Sequence, residues 1–300
     1  MIVSLPAQAS PIHAPPAIHF GHRSFILLER GRRHHWEGEG SLSIKSFSQG
    51  RALYDVGQGR YAVEDDRYLI LNHSQHYAIT VDAPRPVDSF CLFFAAGFAE
   101  EVQRSMNLRA SGLLDEPEQP VAAPLHFYER TYVHDDILSP ALRQLRAALA
   151  QRQTDYGWLQ EQFHLVAERL LQVHRRVDKE IEALPALRAA TRQELYRRLH
   201  RARDYMHASL HRPLLLEELA RVACLSPNHF LRTFRQAFRQ TPHQYLTDLR
   251  LRKAKELLRR TECPITEVCA AVGFASLGSF SWLFHRRLSV APETYRRQKR

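Results

Sequence analysis

The chain is expected to fold as an α+β protein in two parts. The first is a strand-rich N-terminal part, a small barrel or sandwich carrying a helical pair. The second is an all-α C-terminal part. Three observations predict this. Short strand-like runs separated by turn clusters fill residues 20 to 95. Apolar residues recur three or four apart from about residue 98 onward. Residues 214–245 and 264–295 repeat one pattern at an offset of 50 positions with no gap. A length of 300 residues suits two domains.

Residues 1–19 are rich in Pro and Ala and carry no periodicity, as in a flexible arm. Strands are expected at Ser24–Glu29, Ser41–Phe47, Arg67–Asn72, Tyr77–Val81 and Asp88–Phe94. Gly57-Gln-Gly59, Asp65-Asp66 and Asp82-Ala-Pro-Arg-Pro86 separate them as turns. The barrel is placed at 20–135, with a short helix near 98–107 and an isolated strand or turn in 111–136. Leu138, Leu142, Leu145 and Leu149 predict one helix, and Leu159, Phe163, Val166, Leu170 and Val173 a second. They meet near Thr154-Asp155, an end and an N-cap, giving a helical pair over 138–176. Its apolar stripe has two destinations, its own sheet or another subunit. The charged, then Leu/Ala/Pro-rich, residues 177–190 predict a linker between domain 20–176 and domain 191–300.

Charge is divided along the chain. Residues 188–300 hold 23 Lys/Arg and 9 Asp/Glu, a net of +14, whereas residues 1–187 hold 19 and 23, a net of −4. A basic module joined to a mildly acidic one suggests a polyanion binder with a separate control domain. The four cysteines (Cys91, Cys224, Cys263, Cys269) lack metal or redox spacing, so no metal is expected. Cys224 and Cys269 are expected as small buried groups in the repeated helices. No apolar run approaches the roughly 20 residues of a membrane span, and no signal peptide is legible. A cytoplasmic protein without membrane contact is expected.

The repeated unit predicts helix, tight turn, helix. In the first copy, Leu215 to Ala220 opens the unit, Ala223-Cys224-Leu225 turns, Ser226 is an N-cap and Pro227 occupies the first helical position. Phe230, Phe234, Ala237 and Phe238 face inward, leaving Asn228, His229, Leu231, Arg232, Arg235 and Arg239 outward. In the second copy, Ala270 matches Ala220, Gly273-Phe274-Ala275 turns and Ser276 caps. Phe280, Phe284 and Leu288 face inward, with Gly278, Ser279, Trp282, His285 and Arg286 outward. A joining helix from about Pro242 to Arg260 spans roughly 27 Å, near the roughly 34 Å of one DNA turn. Two helix-turn-helix units on one spacer suit two successive major grooves of double-stranded DNA.

These residues resemble the AraC/XylS family of bacterial transcription regulators. The resemblance covers about 191–300. It is carried by Leu219-Ala220, Ser226-Pro-Asn-His-Phe230, Phe234, Thr241-Pro242, Arg252-Lys-Ala-Lys-Glu-Leu-Leu258, Ile265-Thr-Glu-Val268, Val272-Gly-Phe274, Ser276, Phe280, Phe284, Pro292 and Tyr295. It implies base contacts by Asn228, Leu231 and Arg232 in the first recognition helix and by Gly278, Ser279 and Trp282 in the second. Ser226, Arg235, Arg239, Lys253, Ser276, His285 and Arg286 are the expected phosphate contacts. Leu231 suits a thymine methyl. Arg239 and Ser289 stand where the family usually has a left-handed Gly, which costs each about 1 kcal/mol if that geometry is kept.

The resemblance also implies a cupin-like β-barrel that binds a small-molecule effector, helices that form a homodimer, and contact with RNA polymerase if the protein is an activator. Trp36, Tyr54, Tyr61 and Tyr77 are the expected lining residues. Two alternatives concern the N-terminal domain: it only dimerises or binds a protein, or it is a metal-dependent cupin enzyme. His34, His35, Glu37, Glu39, His73 and His76 invite the latter. Adjacent His34 and His35 break the enzyme's His-x-His pattern, because strand neighbours face opposite sides. No enzymatic activity, catalytic residue or cofactor is expected.

Overall fold

The computed structural model describes residues 17–20, 24–107, 124–152, 155–184 and 188–298. Most of the expected arm, and Thr154, the expected end of the first helix of the pair, lie outside them. The chain divides into two compact units, Met1–Ala183 and Leu184–Arg300.

The first unit is an antiparallel, nearly closed barrel. Its strands are β1 (Ala17–Phe20), β2 (Ser24–Gly40), β3 (Ser43–Ser48), β4 (Ala52–Val56), β5 (Gly59–Val63), β6 (Arg67–Leu71), β7 (Gln75–Phe93) and β8 (Thr131–Val133). The long β2–β7 ribbon organises it. One edge of β7 pairs with β2, while its other edge pairs with β4 at Ala78–Thr80 and with β3 at Asp88–Phe93. The sheet therefore forks along β7 and curls.

Two expectations change here. Asp82-Ala-Pro-Arg-Pro86 is not a turn between strands. Asp82 pairs with Arg33 and Val87 with Gly31, so four residues stand opposite Arg32 as a bulge. Prolines 84 and 86 lie within this unpaired stretch, where a missing N–H forfeits no ladder bond. Conversely, Gly57-Gln58 closes a hairpin of β4 and β5, two strands absent from the expected set. Gly57 takes the positive φ of 54° that such a turn needs.

Strand alternation sends Phe47, Tyr54, Val56, Tyr61, Val63, Leu69, Leu71, Tyr77, Ile79, Cys91 and Phe93 into one interior core. The opposite face is covered by helices. These are α1 (Phe98–Asn107), α2 (Ser139–Ala150) and α3 (Tyr156–Glu182). Asp155 caps α3 by accepting the Trp158 N–H at 2.8 Å. The stripe Leu159, Phe163, Val166, Leu170 and Val173 is buried within this unit, with Phe163 against Phe94 at 5.3 Å. The stripe thus covers its own sheet. Residues 177–182, expected as linker, extend α3 because Val177 and Ile181 continue the buried face.

The second unit is all-helical: α4 (Ala189–Ala208), α5 (Leu216–Val222), α6 (Pro227–Phe238), α7 (Pro242–Arg260), α8 (Ile265–Ala271), α9 (Leu277–Leu288) and α10 (Pro292–Gln298). Its core repeats in space. Phe230, Phe234, Phe280 and Phe284 are fully buried. Phe234 meets Tyr245 edge-on at 5.7 Å, and Phe284 meets Tyr295 edge-on at 5.5 Å. A capping box of Thr241 and Gln244, which the sequence reading missed, starts α7.

The duplication is not gap-free. The second helices α6 and α9 match at an offset of 50, but the first helices α5 and α8 match at 49. The buried counterparts of Leu219, Ala220 and Ala223 are Val268, Cys269 and Val272, and Ala270 is exposed. Both turns are Schellman motifs. In the first, Leu225 N–H donates to Ala220 O and Cys224 N–H to Arg221 O. In the second, Phe274 N–H donates to Cys269 O and Gly273 N–H to Ala270 O. The left-handed residue is accordingly Cys224 (φ 51°) in one copy and Gly273 (φ 81°) in the other. Cys224 is therefore exposed in the turn rather than buried, while Cys269 is buried as expected.

Candidate nucleic-acid interface

Burying the phenylalanine stripes fixes what the recognition helices show to solvent. On α6, Asn228, Leu231, Arg232, Arg235 and Arg239 are all exposed. They line one open surface concavity together with Thr241 and with Gln236, the one residue of this set not named above. Gln236 stands four residues after Arg232 and was legible from that spacing, whereas Thr241 arrives from the N-cap of α7. Among the described residues, none of Arg232, Arg235 and Arg239 pairs with a carboxylate. Their charge faces solvent without a competitor.

On α9 the outward residues Gly278, Ser279, Trp282, His285 and Arg286 are exposed too. Trp282 is 58% exposed, high for a large aromatic side chain. The Arg286 guanidinium lies over its ring at 5.0 Å. A Cβ added at Gly278 would meet open space, so this position offers access rather than a close approach. The first copy presents hydrogen-bonding groups and free cations; the second presents an aromatic plate with one arginine stacked on it.

The caps differ as well. Ser276 accepts the Ser279 N–H at 3.1 Å, as a capping serine should. Ser226 holds the N-cap position of α6 with extended backbone, but its hydroxyl makes no capping bond. Lys253 is half-buried on α7 and engages Glu256 at 3.0 Å, so its ammonium is already occupied. Of the expected phosphate contacts it is the one that is not exposed.

Supports for the two faces are specific. Glu218 on α5 is held by Arg212 and by Tyr205 of α4, and Arg212 keeps its carboxyl below the usual range. Arg250 of α7 donates to Leu210 O at 2.9 Å and Arg212 O at 2.7 Å. The same carbonyl of Leu210 would lie 2.3 Å from a Cβ at Gly273, so the second turn closes against this loop only as glycine. Asp248 of α7 accepts from Gln240 at 3.3 Å, just beyond α6, and pairs with Arg287 of α9 at 3.3 Å. One carboxylate therefore braces both readers against the joining helix. That helix has 19 residues, about 28 Å at 1.5 Å per residue. Arg239 and Ser289 adopt left-handed φ values of 57° and 58°, so the strained geometry is kept in both copies.

In the first unit, Tyr54, Tyr61 and Tyr77 are buried in the barrel interior and Trp36 packs against them half-buried. Trp36 lies 4.9 Å from Tyr77, and Tyr54 5.6 Å from Tyr77. The histidines disperse: His34 is 3.8 Å from Glu29, His35 3.2 Å from Thr80 Oγ1 and His76 3.8 Å from Glu37. Among the described residues no three His, Cys, Asp or Glu side chains converge. None of the described helices is long and apolar enough to cross a membrane.

A family model described as a helix-turn-helix domain matches residues 219–298. The chain is 34% identical over 92 residues to the probable transcriptional regulator LumQ of Photobacterium leiognathi, covering 31% of this chain and 37% of LumQ. It is 33% identical over 95 residues to the transcriptional regulator ArgR of Pseudomonas aeruginosa, covering 32% and 29%. The match thus spans about a third of these relatives' length. Among solved structures, the C-terminal domain of AraT, a response regulator from Geobacillus stearothermophilus, is similar at 34% identity and a TM-score of 0.34, covering 35% of this chain and 87% of that one.

Proposed function

We propose, from the premise that residues 219–298 are a helix-turn-helix domain of the AraC/XylS type, that the chain is a sequence-specific DNA-binding transcription regulator. One observation carries this reading. Two recognition helices braced by one 19-residue helix present exposed outward faces, the first with Asn228, Arg232 and Arg235 and the second with Trp282, His285 and Arg286. Asn228 and Arg232 read base edges on the first helix, with Leu231 against a thymine methyl. Gly278, Ser279 and Trp282 approach bases on the second. Ser226, Arg235, Arg239, Ser276, His285 and Arg286 hold phosphates, and the N–H groups at the start of each recognition helix favour the same anions. Lys253 joins them only if Glu256 releases it.

The N-terminal barrel acts as the sensor of a small-molecule effector. The buried Tyr54, Tyr61 and Tyr77 with half-buried Trp36 support that part, because they gather aromatic side chains with polar tips in one interior. Residues 183–188, between the end of α3 and the start of α4, transmit the response. A homodimer forms through surfaces other than the α3 stripe, which is already buried. The protein acts in the cytoplasm, and meets RNA polymerase if it is an activator.

A fluorescence-anisotropy titration against genomic fragments tests the DNA reading. Binding should weaken steeply as salt rises from 50 to 200 mM, as expected for several phosphate contacts. Selected fragments should outcompete random DNA by about 10³ or more. Equal affinity for all DNA would sink the sequence-specific reading. Deleting three residues within 183–188 should preserve DNA binding and abolish any effector response; an intact response would remove the linker from the mechanism.

A further inference from the structure

The barrel interior holds a polar cluster for which DNA reading has no use. Lys45 lies on β3 and is only 2% exposed. Its Nζ donates to the Tyr77 hydroxyl at 3.2 Å and sits 3.6 Å from the ring centroid of Phe93. Pairing places Cys91 of β7 directly opposite. Ser43 is two residues earlier on β3 and therefore on the same face. It is fully buried, and its Oγ has no hydrogen-bond partner. The nearby Tyr54 ring completes the wall, 5.6 Å from Tyr77.

The cluster is electrostatically incomplete. An ammonium has three donors, and among the described residues only Tyr77 accepts from this one. No Asp or Glu side chain of the described residues pairs with Lys45; Glu29 of β2, 3.8 Å from His34, faces Cys91 and Tyr54, which burial and its charge together hold protonated, rather than the ammonium. Burial pushes the Lys45 ammonium down to about 8, which still leaves it mainly charged at neutral pH. A buried cation without a counter-ion, beside an orphan buried hydroxyl, is costly and accepts an anion readily.

We propose that Lys45, Ser43 and Tyr77 form the anion end of the effector site, so that the effector is a small apolar acid. Its carboxylate accepts from the Lys45 ammonium and the Ser43 hydroxyl, and its apolar body lies against Phe93, Tyr54 and Trp36. A single cation in an aromatic interior matches one negative charge shared by two oxygens. A phosphate's second charge would remain uncompensated. The proposal rests on the barrel being the sensor.

Thermal unfolding of the full chain with octanoate and cinnamate, beside 1-octanol and cinnamyl alcohol, tests it. At least one acid at millimolar concentration should raise the midpoint by about 2–5 °C, and its matched alcohol should not. Lys45→Met should weaken that acid at least tenfold while retaining DNA binding, which reports an intact fold. Ser43→Ala should weaken it about threefold, and Lys45→Arg should keep part of the affinity. No shift from either acid, equal shifts from acid and alcohol, or full affinity in Lys45→Met would each overturn the assignment. The parent reading fails differently. An acid that binds through Lys45 yet leaves DNA binding unchanged would keep the anion site and remove the sensor role. An alcohol that alters DNA binding in Lys45→Met would do the reverse.

Discussion

The two helix-turn-helix copies share a scaffold and differ in two places, the turn and the reading face. Their recognition helices keep one register, with paired phenylalanines and an edge-on tyrosine at 5.7 and 5.5 Å. Their first helices are slipped by one residue, because Leu225 alone separates the left-handed Cys224 from Ser226, whereas Phe274 and Ala275 separate Gly273 from Ser276. The faces diverge further: Asn228 and Arg232 against Gly278, Ser279 and Trp282. Packing has preserved the frame that positions a reader, while the reader itself varies. Variation outside the core costs little stability, so the same fold carries two unlike outward faces.

The sharpest way to break this comparison is the turn. Gly273→Ala puts a Cβ at 2.3 Å from Leu210 O at a positive φ, and should destabilise by about 3 kcal/mol in denaturant unfolding. Cys224→Gly, at the matching left-handed site, should instead be neutral or stabilising by up to about 1 kcal/mol. Equal effects would mean that the turns are equivalent after all.

The faces come next. Arg232→Ala should cost roughly 1–3 kcal/mol on the preferred site and relax selectivity at one base position. Trp282→Ala should weaken binding with a broader, shape-dependent loss that no single base explains. Arg286→Ala should weaken all sequences alike and flatten the salt dependence by about one unit. Competition titrations at several salt concentrations separate these outcomes; a uniform loss in Arg232→Ala would remove it from base readout. The smallest effect is at the helix ends. Ser289→Gly should stabilise by up to about 1 kcal/mol and leave DNA affinity unchanged. Arg239→Gly should gain similar stability but bind DNA less tightly. Matched affinity losses in both would show that the ends matter equally to DNA.

Legibility followed the strength of the local signal. Serine followed by proline and phenylalanines four apart marked the first recognition helix, and the repeated phenylalanines with Ser276 marked the second, leaving their outward residues by elimination. The slip in the first helices stayed hidden because Cys224 takes a left-handed conformation with no glycine to announce it. The β4–β5 hairpin carried a usable signal in Val56-Gly57-Gln58-Gly59, but its strands have only five residues each. Pro84 and Pro86 marked a break that the structure resolves as a bulge, since pairing on both sides of it keeps β7 continuous. Lys45 was hidden by a one-sided view of β3. Alternation puts Leu42 and Ile44 on a buried face and Lys45 on the other, yet both faces are covered. The expected aromatic residues Tyr54, Tyr61 and Tyr77 do share one interior, although their role there rests on the sensor reading.

Selection of bound sequences from a random DNA pool, run in parallel with the wild-type chain, Arg232→Ala and Trp282→Ala, tests the unequal-reader account most directly. One asymmetric site is expected. One half should show sharp base preferences that Arg232→Ala erases. The other half, about one helical turn away, should show weak or A·T-biased preferences that change only with Trp282→Ala. Two equally sharp halves, or a sharp half that survives Arg232→Ala and is lost in Trp282→Ala, would contradict it.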